Sequence, residues 1–152
     1  MPTVGQMLEA KPRELMTIDP HATVIDAATM MNDQRIGALL VVENEQLAGI
    51  FTERDILRRV VAEKRDVTAT AVGQVMTREL VCCPISATLE QAKVIFRDKR
   101  IRHLPVVDEA GKALGVISIG DVNAWAMDSQ EVEIHYLQEY LYGTRTRGSG
   151  GY

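Results

Sequence analysis

A chain of 152 residues, 46% apolar and 25% charged, has the composition of an ordinary globular protein, with room for one domain or two small halves sharing a core. Its formal charge of −4 gives no electrostatic reason to expect nucleic acid or an anionic membrane as a partner. No apolar run approaches the ~20 residues of a membrane span, and the opening "MPTVGQMLEA" lacks the basic and apolar regions of a signal peptide, so a cytoplasmic location is expected.

In chain order, "TVGQML" (3–8) reads as a short N-terminal helix. The apolar strand "LMTI" follows and ends at Pro20, which lacks a backbone donor. Val24, Ala27, Ala28 and Met31 then stand at the spacing of one buried helix face, with Thr23 placed to cap the helix. Two strands, "ALLVV" and "AGIF", come next, joined by a polar turn over 43–46. A second helix starts near Arg54 and is expected to bury Ile56, Leu57 and Val60. The polar run "AEKRDVTATA" (62–71) bridges to the rest of the chain.

There the same units return. "AVGQVM" (71–76) echoes the opening, and "ELVCC" runs to Pro84 as "LMTI" runs to Pro20. Thr88, Leu89, Ala92 and Phe96 repeat the capped helix. "HLPVV" and "LGVIS" repeat the strand pair around a turn at 108–112, and a helix from about Gly120 is expected to bury Val122, Trp125 and Ala126. The fold class is therefore α+β, with the order β-α-β-β-α occurring twice. The expected boundaries are 1–64 for the first repeat with the N-terminal helix, 65–128 for the second, and 129–152 for a C-terminal helix and flexible tail. In that last segment Val132, Tyr136, Leu137, Tyr140 and Leu141 form an apolar stripe suited to packing on its own domain or on a second copy of the chain. Three short strands and two helices cannot bury enough surface alone at ~60 residues. Two copies packed sheet to sheet about a pseudo-twofold axis can, and they leave two related clefts.

Where the third strand of each repeat gives way to a helix, a hydroxyl and a carboxylate stand three residues apart: Thr52/Asp55 and Ser118/Asp121. One reading is purely structural, with Asp stabilising the first helical turn by about 0.3–1 kcal/mol. The other is ligand recognition, because a carboxylate at a strand end can accept two hydrogen bonds from a vicinal diol such as that of ribose. Bonds to a charged acceptor are worth about 1.5–3 kcal/mol each. The two roles are compatible.

The paired units with "RHLPVVD" and "GVISIGDV" resemble the cystathionine β-synthase (CBS) domain pair, or Bateman module, over nearly the whole chain, and specifically its stand-alone members. The resemblance implies that Ser/Thr-x-x-Asp holds the ribose of an adenosine ligand, and that the motif of one repeat faces the first and second strands of the other. A first cleft would then join Thr52, Arg54 and Asp55 to Val81, Cys82, Arg102 and His103. A second would join Ser118, Gly120 and Asp121 to Thr17, Ile18, Gly37 and Ala38. Arg54, Arg102 and His103 equip the first cleft for phosphate, whereas Gly120, Gly37 and Ala38 stand at the matching positions of the second. The expectation is a phosphorylated adenosine (AMP, ADP or ATP) in the first cleft and weaker or less charged occupancy of the second.

The chain contains no G-x-x-x-x-G-K-[ST], G-x-S-x-G or H-E-x-x-H motif and no obvious nucleophile with a base, so an enzyme is not expected. His21, His103 and His135 are scattered through the chain, and Cys82 and Cys83 are adjacent, so neither a metal nor a disulfide is expected. The function expected is a non-catalytic nucleotide sensor, needing no cofactor, that forms a homodimer and acts on an unidentified regulated protein. The alternatives are an assembly module with vestigial clefts, and a sensor of S-adenosylmethionine or NAD.

Overall fold

The computed structural model describes residues 1–10 and 14–127. In the first repeat β1 (Thr17–Ile18) runs parallel to β2 (Ala38–Glu43), and β3 (Gln46–Thr52) returns antiparallel to β2. The second repeat sets β4 (Cys83–Pro84), β5 (His103–Val107) and β6 (Ala113–Ser118) in the same way. Parallel neighbours need a crossover; helices α2 (Val24–Gln34) and α5 (Leu89–Lys99) supply it. The register slips by one residue at Val41/Val42 and again at the matching Val106/Val107.

Local chemistry explains why both repeats fold alike. Thr23 accepts from the Asp26 amide while Asp26 accepts from the Thr23 amide, and Thr88 and Gln91 form the same reciprocal cap. Both helices stop at an arginine in the left-handed region, Arg35 and Arg100, each at φ 54°. The β2–β3 turn has two left-handed residues, Asn44 and Glu45 (φ 51° and 65°), the geometry of a tight two-residue hairpin. The longer β5–β6 turn is held by Asp108, whose Oδ1 accepts from the amides of Ala110 and Lys112.

Chain order and packing diverge at the short helices α1 (Val4–Ala10) and α4 (Val72–Val75). Val4 and Met7 of α1 lie in the second core, with Leu89, Ala92, Phe96, Leu104, Val106, Ile117 and Val122. Val72, Val75 and Met76 lie in the first, with Val24, Ala27, Met31, Leu39, Val41, Phe51 and Val60. Matched backbone hydrogen bonds seal the exchange: Val4 to Ala87 and Val72 to Ala22, both 2.8 Å. The helix that sequence order groups with residues 1–64 therefore packs in the other repeat. Each core is completed by its partner's helix, which makes the two halves interdependent. A third cluster, built from Ala38, Leu40, Ile50, Leu80, Ala113 and Val116, lies where the sheets meet.

Four local expectations change. Pro84 lies inside β4, opposite Val107, rather than just beyond it; a proline at the end of an edge strand gives up no ladder bond. The outer strands pair over only two residues each, so Val81 and Cys82 precede β4. Ala28, Trp125 and Ala126 are half-buried. Leu57 is 62% exposed, because α3 (Glu53–Asp55) continues as a π-helical turn, Ile56–Val61. The wider turn keeps Ile56 and Val60 inward and swings Leu57 out. A last helix, α6, is described over 119–127, and the expected C-terminal helix lies outside the described residues. No helix among the described residues is long and apolar enough to cross a membrane.

Candidate functional site

Thr52 closes β3 and caps α3, as Ser118 closes β6 at the start of α6. Asp55 Oδ2 accepts from the Thr52 amide at 3.0 Å while the Asp55 amide donates to Thr52 Oγ1 at 3.2 Å. Asp121 Oδ2 accepts from the Ser118 amide and the Asp121 amide donates to Ser118 Oγ, both at 3.0 Å. The duplicated motif is thus a duplicated capping box, which fixes each carboxylate rigidly at a strand end.

The two carboxylates differ in their surroundings. Asp55 is 7% exposed, and it also accepts from Thr52 Oγ1 and, through Oδ1, from the hydroxyl of Thr77, both at 3.1 Å. Arg59 Nε lies 3.7 Å from the same Oδ1, and its Nη1 donates to the Met76 carbonyl. Thr77 follows α4, so the first motif is tied to the second repeat. Sequence reading missed Thr77 because nothing in "VMTREL" marks it as a partner of a residue 22 positions away. At the matching positions of the second motif stand Glu9 and Trp125. Asp121 is half-buried.

Register refines the strand residues. Ile18 pairs with Val41 and Cys83 with Val106, so Ile18 corresponds to Cys83 and Thr17 to Cys82. Ile18 and Cys83 are buried, one in each core. Successive strand residues face opposite sides, so Thr17 points away from the first core; Cys82, just before β4, is not part of the second. Val81 packs against the second core. Burial pushes up the thiol of Cys82, and burial together with its neighbour Cys82 pushes Cys83 to about 11, which keeps both protonated near neutrality.

Gly37 and Arg102 also correspond: the Gly37 carbonyl accepts from the Glu53 amide as the Arg102 carbonyl accepts from that of Ile119. Ala38 pairs with Thr52 and His103 with Ser118. His103 reaches across to the first repeat, where its Nε2 lies 3.2 Å, and the Glu53 carboxyl carbon 3.4 Å, from the point a Cβ on Gly37 would occupy. The imidazole is half-buried, and desolvation holds its pKa below the usual histidine value. Glu53 and Asp121 oppose that shift, while Arg102 and Arg54 reinforce it. Arg54 Nη1 donates to the Arg100 carbonyl at 3.3 Å, and Arg102 is exposed. Residues assigned to both clefts thus converge on one imidazole. Gly120 is exposed beside Ser118 Oγ, and Ala38 is buried between the sheets. A separate groove of about 310 Å³, lined by His21, Glu43 and Arg78 among others, contains none of these residues. Among the described residues no His/Cys/Asp/Glu group is placed to hold a metal ion.

Two interlocked β-α-β-β-α repeats, each presenting a capped carboxylate at a strand end, make this a tandem module. The CBS domain model matches residues 11–62 and 72–128, and the chain belongs to the CBS-domain family. It is 38% identical over 126 residues to the mitochondrial CBS domain-containing protein CBSX3 of Arabidopsis thaliana, covering 80% of this chain but only 61% of that protein. The crystal structure of the CBS domain NE2398 superposes with a TM-score of 0.78 at 38% identity, covering 82% of this chain and 97% of that one. The structure of CBSX2 in complex with AMP superposes with a TM-score of 0.70 at 26% identity, covering 86% of this chain and 99% of that one.

Proposed function

We propose that this chain is a non-catalytic regulatory module that binds an adenine nucleotide, AMP, ADP or ATP, in the clefts between its repeats. Occupancy is passed on to a regulated protein as a change in shape or pairing, which requires the ligand to bind two states of the module unequally. The observation that carries this reading is the convergence of Arg54, Arg102 and His103 next to the capped carboxylate of Asp121; the AMP complex of CBSX2 supports it. Asp55 and Asp121 would accept the ribose diol, and the basic groups would take the phosphate. The reading includes a cytoplasmic location and a homodimer, whose contact would use the exposed Leu57 and Val61 of the π-helical turn.

Isothermal titration with AMP, ADP, ATP, NAD and S-adenosylmethionine tests it. A phosphorylated adenosine should bind, and Arg102→Ala should weaken that binding clearly. Binding of S-adenosylmethionine alone, insensitive to Arg102→Ala, would transfer the site to an adenosyl ligand without phosphate. One observation favours a second reading, a purely structural module: the Asp55 carboxylate already accepts from Thr52 and Thr77. Absence of binding by any of the five compounds at millimolar concentration would establish that reading instead.

A further inference from the structure

The two clefts adjoin at one side chain. His103 begins β5 of the second repeat, but its ring covers Gly37 of the first, where a Cβ would crowd it at 3.2 and 3.3 Å. Arg102 precedes it in the chain, Glu53 and Arg54 face it from α3, and Asp121 faces it from α6. That ring is the one titratable group near neutrality in this set of fixed charges. Resting on the nucleotide reading above, we propose that His103 is a phosphate-recognition group shared by both clefts, taking up a proton when a phosphorylated ligand enters either one, so that a second such ligand is disfavoured. Gly37 makes the sharing possible by leaving the space the imidazole uses.

The physical basis is proton linkage. Desolvation disfavours the charged ring in the free protein, and an arriving phosphate favours the imidazolium. The bound state then holds more protons than the free state, so affinity rises as pH falls through the ring's titration in the complex. The limit is about tenfold per pH unit for one proton. A single imidazole cannot neutralise two phosphates at once, so the second phosphorylated ligand binds against repulsion.

Titration calorimetry of the full chain with AMP and adenosine, from pH 6 to 8 in buffers of differing ionisation enthalpy, tests this in wild type, His103→Gln and Gly37→Ala. AMP should bind wild type with proton uptake and with one tight site per module, and adenosine without proton uptake. His103→Gln should lose the uptake and the excess pH dependence; the titration of the phosphate itself is common to both proteins and cancels. Gly37→Ala, which pushes on the ring from the other repeat, should weaken AMP at least threefold more than adenosine. The His103 imidazole resonances should titrate at higher pH with AMP present. Equal pH dependence in wild type and His103→Gln, or two AMP sites of equal affinity, overturns the proposal. If neither compound binds, the nucleotide reading fails and the proposal with it.

Discussion

Asp55 accepts a hydrogen bond at 3.1 Å from Thr77, joining the buried end of one repeat to the segment that enters the other. Thr77 also exchanges backbone hydrogen bonds with Ile50, at 2.9 and 3.0 Å, so side chain and main chain make the same junction. Thr77→Val leaves a buried carboxylate short of one donor and should destabilise the protein by about 1–3 kcal/mol. Urea denaturation measures this, and a double-mutant cycle with Asp55→Asn should show coupling. Glu9, the exposed residue at the matching position, should tolerate alanine with a change of less than about 0.5 kcal/mol.

The same junction predicts an asymmetry between two equivalent glycines. A Cβ on Gly49 would stand 2.7 Å from the Thr77 carbonyl oxygen and 2.9 Å from Met76 Sδ, whereas one on Gly115 would meet the ends of the Leu8 side chain at 3.2 and 3.3 Å. Backbone cannot retreat as a leucine methyl can. Gly49→Ala should cost about 1–3 kcal/mol and Gly115→Ala clearly less, as thermal unfolding of the two variants would show.

His103 makes stability depend on pH. Its folded-state pKa is lowered from 6.5 by desolvation, so the unfolded chain binds more protons across the window from about neutrality down through the folded value. Stability contributed by the neutral ring is present above 6.5 and is lost as pH falls. Unfolding midpoints of wild type should drop more steeply between pH 7 and pH 5 than those of His103→Gln. Parallel curves would mean that the ring is no more desolvated than in the unfolded chain.

Cys83 titrates in the opposite sense. With its thiol pushed up to about 11, only about one part in a thousand is thiolate at pH 8. Alkylation by iodoacetamide at pH 8 should therefore be slow in the folded protein and fast in urea. Because the folded value lies above the unfolded 9.0, the stability it contributes is present below pH 9 and lost as pH rises towards 11. Cys83→Ala should flatten that alkaline limb.

Much of this protein was legible in its sequence because the determinants are local and occur twice. Thr23 and Thr88 announce their helices by position, the turn at 43–46 joins its two strands, and the Thr52/Asp55 and Ser118/Asp121 pairs mark two strand-to-helix transitions. Hydrogen bonds between residues three apart depend on little else, so the pattern of residues was enough. Duplication itself dictated that each incomplete sheet needs the other copy to cover it.

Only tertiary structure decided what meets across the repeats. The exchange of α1 and α4, sealed by the Val4–Ala87 bond, the Thr77 contact with Asp55 and the seating of His103 over Gly37 join residues 22 to 83 positions apart. No periodicity carries such pairings, because they arise where the backbone of one repeat approaches the side chains of the other. The outward swing of Leu57 has the same character: its apolar spacing fits a helix of 3.6 residues per turn, and a single π-helical turn rotates it into solvent. Local hydrogen bonding thus set the elements, and packing between the copies set the contacts by which the two repeats differ.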